Sequence, residues 1–366
     1  YNLIYNNKRL NLIYGTTLSE YDGDHYGEVI WQQNSSSSQL NDLLYSGNGV
    51  KNDFSNFLKS TYQISKKISI YGDFQLRNIK YKTTGSTINL SDFSVDKKYS
   101  FFNPKAGLNF KMNNKNRLYF SVAKAFREPT RSDFESNPEI MPEELVDYEL
   151  GWNYKSEEIQ FKTNWYFMSY KNQLVLTGNI DDVGAPIREN SGESYRHGLE
   201  IESLIDLSDK ISINTNISLS ENKNIDYVTS FDGEIVNLGD TKISFSPKLI
   251  SYIGFIYKPS NKLYFSFLNK HIGDQYMSNT EAQLSKLQSY TVSDINFIYE
   301  LKNTLFFSEI KISAMVNNLF NVEYVSNGYY YTYDDTWTNN NITTIEGTGY
   351  YPQAKRNYLL GMTIKF

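Results

Sequence analysis

The chain contains no cysteine, which excludes disulfides, thiolate nucleophiles and cysteine-bound metals. Histidine is almost as scarce: His25, His197 and His271 are the three in 366 residues. That leaves little room for imidazole catalysis or a multi-histidine metal centre. No apolar run approaches the about 18 residues of a membrane-crossing helix. Net charge is −5, so the basic footprint of a nucleic-acid-binding domain is missing and no nucleic-acid partner is expected. His-Glu-X-X-His, Gly-X-Ser-X-Gly and a phosphate-cradling glycine loop are absent too. The reading is therefore of a non-enzyme without a cofactor. The chain opens at Tyr1 with no charged and apolar leader, so any signal peptide is expected to have been removed or to lie upstream.

What the sequence has is alternation and aromatic rings. Aromatics make up 16%, with 31 Tyr and 22 Phe, a load suited to membrane–water interfaces. In the closing segment Tyr358, Leu360, Met362, Ile364 and Phe366 fall on one face, and Leu359, Gly361, Thr363 and Lys365 on the other. Side chains of a strand alternate between faces, so this is a strand with one apolar and one mostly polar wall. The same pattern predicts strands over 1–5, 8–18, 54–64, 67–82, 99–112, 116–126, 145–155, 158–171, 194–207, 210–222, 245–257, 262–273, 288–301, 307–317 and 355–366. Many exceed the about 9–11 residues with which a tilted strand crosses a bilayer.

Connections alternate between short and long. Turns such as Asn6-Asn7, Ser65-Lys66, Ser208-Asp209 and Lys302-Asn303 separate long loops at 19–53, 83–98, 127–144, 172–193, 223–244, 274–287 and 318–354. All long loops then lie on one side of the sheet, as in outer-membrane barrels with short periplasmic turns and long extracellular loops. The fold class read from this is all-β, a transmembrane antiparallel β-barrel of about 14 strands preceded by a stub. The stub at 1–5 favours the C-terminal part of a larger barrel. A self-contained barrel with a frayed start is the alternative.

Five blocks carry a family resemblance. They are Phe102-Asn-Pro-Lys-Ala-Gly-Leu-Asn-Phe110 with Leu118 to Arg131 (Leu-Tyr-Phe-Ser-Val-Ala-Lys-Ala-Phe-Arg-Glu-Pro-Thr-Arg); Asn137-Pro-Glu-Ile-Met-Pro-Glu running to Gly151; Asn317-Asn-Leu-Phe-Asn-Val-Glu-Tyr324; Tyr351-Pro-Gln-Ala-Lys-Arg-Asn357; and Tyr21-Asp-Gly-Asp-His-Tyr-Gly-Glu-Val-Ile-Trp31. In order and spacing they resemble TonB-dependent outer-membrane receptors. The resemblance implies a 22-stranded barrel closed by an N-terminal plug. Residues 1–366 would then be the C-terminal part of the barrel, without the plug, its TonB box or the first barrel strands. It also implies residence in the outer membrane of a Gram-negative bacterium, with outer-membrane lipid, a metal chelate, the TonB–ExbB–ExbD complex (through the plug) and the barrel-assembly machinery as partners.

Candidate residues follow. Gly361, Ile364 and Phe366 resemble the C-terminal signal read by the barrel-assembly machinery. Arg127, Arg131 and Arg188 could attract an anionic chelate at the rim, since guanidinium pairs well with carboxylates and phenolates. Pairing with Glu128, Asp133 or Glu189 is the competing reading. Tyr329, Tyr330, Tyr331 and Trp337 form an aromatic cluster with Tyr333, Tyr350 and Tyr351, able to stack on a ligand or to pack between loops. The loop carboxylates Asp22, Asp24, Asp181, Asp182, Asp334 and Asp335 lack the regular spacing of a calcium loop. His25 alone is placed to act as an axial haem ligand. The expected function is uptake of a scarce metal chelate, a ferric siderophore by default. Cobalamin, haem, an oligosaccharide, a passive porin or fatty-acid channel and a barrel enzyme are the alternatives.

Overall fold

A computed structural model describes residues 1–34, 39–86, 92–180, 186–302, 306–337 and 342–366. Asp181, Asp182 and Asn303 lie outside the described residues. Each predicted strand is present. A 16-stranded sheet runs in sequence order through Asn2–Asn6, Leu10–Glu28, Leu43–Gln63, Ile68–Ser86, Asp92–Lys111, Asn116–Arg127, Glu143–Lys155, Ile159–Lys171, Glu193–Ser208, Ile211–Asn224, Leu249–Ser260, Leu263–Ile272, Tyr290–Lys302, Glu309–Asn317 and Asn357–Lys365. The short Thr241–Lys242 strand pairs beside Ile211–Asn224. Among the described residues the path does not close on itself.

Two expected loops are largely strand. Polarity predicts a connection over 19–53, but Leu10–Glu28 and Leu43–Gln63 pair without interruption up to Gly27↔Tyr45. The apolar alternation fades there because both faces turn polar, whereas the backbone ladder needs no apolar side chain to continue. Likewise Ile68–Ser86 and Asp92–Lys111 extend into 83–98. Several other loops fold into hairpins of their own: Leu174–Ile180 with Pro186–Asn190, Val228–Phe231 with Glu234–Asn237, and Val325–Asp335 with Thr343–Pro352. The second turns on Asp232 and Gly233, at φ 51° and 75°, the two positive φ values of a type I′ turn.

The chain divides into two compact units. The first comprises Tyr1–Asn109, Phe120–Tyr148 and Met168–Ser194. One face of its sheet exposes Phe54, Leu58, Phe74, Leu76 and Phe102 at 40–53%; the other carries Asp53, Ser55, Gln75 and Arg77. Val95, Phe134, Ile140 and Leu174 form a buried cluster, with Tyr81, Phe93 and Tyr99 packed against it. The cluster seats the helix Arg131–Ser136.

The second unit comprises Phe110–Tyr119, Glu149–Phe167 and Tyr195–Phe366. Its closing strand aligns Tyr358, Leu360, Met362 and Ile364 with Val316, Ala314, Ile312 and Ile310, so apolar residues meet across the pair. A Cβ on Gly361 would lie 2.7 Å from Ser313 Oγ, and Phe366 meets Phe307 edge-on at 5.4 Å. A separate loop core of Met277, Leu287 and Tyr330, flanked by Phe245, Ala282 and Val325, lies under the Val325–Pro352 hairpin.

Candidate ligand-binding site

In the first unit the loop after Asn116–Arg127 is held by ions at three points. Glu128 accepts hydrogen bonds from Lys51 Nζ at 2.6 Å and from Arg77 Nη1 and Nη2 at 2.7 and 2.8 Å, and Arg77 Nε also donates to Asp53 at 2.9 Å. Burial opposes the charge on Glu128, but the bonds from Lys51 and Arg77 outweigh it and hold the carboxyl below its usual range. A depressed carboxyl stabilises the fold above its ordinary pKa, and that stability is lost as pH falls through the folded value. Glu128→Gln is accordingly expected to flatten the acid side of the stability–pH profile as pH falls below the ordinary glutamate range, as read by unfolding midpoints. An unchanged profile would count against the assignment.

Two residues on, Thr130 caps the helix Arg131–Ser136. Its backbone N–H and hydroxyl donate to Asp133 Oδ2 at 2.7 and 2.8 Å. Arg188 closes on the same carboxylate, Nε to Oδ1 at 2.9 Å and Nη2 to Oδ2 at 3.0 Å. Arg131 pairs with Glu135 at 2.8 Å, donates to Thr83 Oγ1 and lies over Phe93 with 5.0 Å to the ring centroid. Of the acids weighed as partners, Asp133 thus binds Arg188, whereas Glu128 is taken by Lys51 and Arg77. Arg131 and Arg188 are half-buried, each in its own loop, and Arg127 is exposed.

In the second unit the hairpin splits the tyrosines by parity. Tyr330 turns into the loop core at 4% exposure and donates to Glu346 Oε1 at 2.5 Å. Burial and that bond push its hydroxyl pKa up. Tyr329 and Tyr331 take the opposite face, with ring centroids 6.3 Å apart, and Tyr351 lies 6.1 Å from Tyr329. Gly349 and Gly347 are the floor: a Cβ there would come within 2.2 and 2.3 Å of the Tyr329 and Tyr331 rings. Trp337 is 92% exposed. Gly347→Val is therefore expected to displace the Tyr331 ring while leaving Tyr330 seated, a change visible in the near-ultraviolet circular dichroism. A wild-type spectrum would argue against this packing.

The histidines are separate. His25 Nε2 lies 3.1 Å from Tyr21 Oη, His271 Nδ1 lies 2.9 Å from Thr291 Oγ1, and His197 stacks on Tyr195. Asp22 and Asp24 both accept from Asn48 Nδ2, and Asp334 from Thr344; Asp335 accepts from the Trp337 N–H. Among the described residues, no group of three or more His, Asp or Glu could hold a metal ion. The ion quartet escaped sequence reading. Parity alone puts Lys51, Asp53 and Arg77 on one face, but the register that joins them to Glu128 is not written in any local pattern.

Antiparallel strands paired in sequence order, an exposed apolar face and hairpins folded within the longer connections fit an outer-membrane β-barrel protein. The model of the TonB-dependent receptor-like β-barrel family matches residues 1–319. The chain belongs to that family, whose members reside in the Gram-negative outer membrane. No curated protein matches its sequence. Among solved structures it is similar to the ferric-catecholate import receptor Fiu from K12 E. coli in its closed form, with TM-score 0.71 and 14% identity over 100% of this chain and 53% of that one. It is also similar to the ferric citrate transporter FecA (TM-score 0.68, 17% identity, 99% and 53% covered). A third likeness is to the ferric yersiniabactin uptake receptor FyuA from Yersinia pestis (0.66, 13%, 99% and 52%). The chain spans about half the length of these structures.

Proposed function

We propose that the chain is the larger part of the barrel of a receptor that binds a ferric siderophore at its extracellular loops and imports it by TonB-dependent active transport. The observation that carries the reading is the family match over residues 1–319. Likeness in fold to a ferric-catecholate, a ferric citrate and a ferric yersiniabactin receptor supports iron chelates as the ligand class. Tyr329, Tyr331 and Trp337 offer ring faces to a ligand, because parity leaves them outside the loop core. Arg131 and Arg188 brace the loops of the first unit, and Tyr330 seats the hairpin of the second. Energy would come from TonB–ExbB–ExbD acting on a plug, and Gly361, Ile364 and Phe366 would be read by the barrel-assembly machinery. No covalent chemistry is required.

The test is equilibrium binding by the full receptor in detergent, with ferric enterobactin, ferric citrate, cyanocobalamin and haem as probes. A ferric siderophore should bind at least tenfold more tightly than cobalamin or haem, and Tyr331→Ala should weaken it by roughly fivefold through lost ring contact. Preference for cobalamin or haem would overturn the ligand assignment.

A further inference from the structure

The short turns of the second unit carry lysines that no acid of the chain neutralises. Lys115, Lys155, Lys210, Lys258 and Lys262 are all exposed, and among the described residues none has an ion pair. Lys111 and Arg117, on either side of Lys115, are exposed and unpaired as well. The acids of these turns are Glu157, Glu158 and Asp209, so a clear excess of positive charge remains. At the opposite end of the strands, by contrast, Lys242, Lys248, Lys286 and Lys355 pair with Glu281, Glu221, Asp274 and Glu323.

Backbone hydrogen bonds hold the turns side by side. The Lys155 N–H donates to the Lys115 carbonyl at 2.9 Å, the Lys258 N–H to that of Lys210 at 2.7 Å and the Glu300 N–H to that of Lys262 at 2.8 Å. Two of these bonds set lysine beside lysine on adjacent strands, and like charges so placed repel. Lys210, Lys258 and Lys262 border one open hollow of about 730 Å³, together with Asn261 and Tyr264. Asp209 and Glu300 border it too, but Glu300 is already shared by Lys302 and Lys311 at 3.7 and 3.8 Å. Asp209 alone is left to face three cations.

The placement of the hollow indicates which anion offsets them. Lys258 Nζ lies 5.7 Å from the centroid of the Tyr264 ring. Tyr264 precedes Phe265, which pairs with Tyr257 and Phe297 on the apolar face. Successive residues take opposite faces, so Lys258 and Tyr264 turn away from the lipid-facing wall. Short turns of an outer-membrane barrel face the periplasm, and successive turns are two strands, about 10 Å, apart. A row of cations at that spacing suits an extended polymer that repeats its negative charge. We propose that Lys210, Lys258 and Lys262, with Lys115 and Lys155 on the neighbouring turns, form a docking edge for the peptide carboxylates of peptidoglycan. The edge tethers the receptor to the cell wall and does not depend on which chelate is carried.

The test uses the full receptor in neutral detergent, with purified peptidoglycan sacculi as probe. Sacculi whose carboxylates have been converted to amides, and phosphatidylglycerol, are the comparison arms. Co-sedimentation at low salt should retain the receptor on native sacculi, and the triple variant Lys210→Gln, Lys258→Gln, Lys262→Gln should be retained roughly fivefold less. The matching triple variant to arginine should keep wild-type retention, because the charge stays. Without sacculi, the glutamine variant should melt at or above the wild-type temperature, since a repulsion is gone, which separates lost binding from misfolding. A lower melting temperature would deny that repulsion and count against the site. Equal retention of the glutamine variant, equal retention on amidated sacculi or lost retention of the arginine variant would overturn the proposal. So would a fivefold loss with phosphatidylglycerol but not with sacculi, which would mark a lipid site instead.

Discussion

Asp133→Ala should part the 127–144 loop, which carries Arg131, from the 172–193 loop, which carries Arg188, at a cost of about 3 kcal/mol. Asp133 is 2% exposed and takes the bidentate Arg188 pair together with the N–H and hydroxyl of Thr130. Removing it strands the Arg188 guanidinium, whose side chain is 20% exposed, and a partly buried charge without its partner is costly. The opening should be local, because the strands below have their own ladder. Hydrogen exchange would show amides of 130–136 and 186–190 losing protection while those of Ile68–Ser86 keep theirs. Adding Arg188→Met should recover part of the loss, since the stranded charge goes with it. Unchanged protection in Asp133→Ala would mean that the pair contributes little.

Tyr330→Ala should have a comparable effect in the second unit. The side chain is buried against Met277 and Leu287, and truncating a large aromatic in a packed cluster costs about 3–5 kcal/mol. Its loss also frees Glu346, which is exposed and can turn to water. Tyr330→Phe keeps the packing and should therefore cost only about 1 kcal/mol. Limited proteolysis of the Val325–Pro352 hairpin separates the two, with rapid cleavage expected in Tyr330→Ala and near-wild-type resistance in Tyr330→Phe. Equal resistance of both variants would show that the ring does not hold the hairpin.

The strands could be read from the sequence because a half-buried strand stamps its period on the residues. Ile211, Ile213 and Leu219 pair with Tyr257, Phe255 and Leu249, in a register that sets apolar residues against apolar ones. The signal fails above the apolar band. Asp22, Gly23 and Asp24 pair with Val50, Gly49 and Asn48, yet their side chains carry no contrast between faces. The density of rings in the last long loop marks residues 329–331 as a group, but only the hairpin register separates Tyr330 in the core from Tyr329 and Tyr331 outside it. The arginines were harder still. Arg188 meets an acid 55 positions away, and no local spacing encodes such a pairing. Arg127 and Glu128 are adjacent in sequence, and alternation sends them to opposite faces.

Energised import of an iron chelate is the function proposed for the full receptor. Uptake of ⁵⁵Fe-labelled siderophore by cells carrying the full receptor, with and without TonB, tests it most directly. Saturable uptake that falls to background without TonB is the predicted result. Uptake that persists without TonB, or rises linearly with concentration, would identify a passive channel and contradict it.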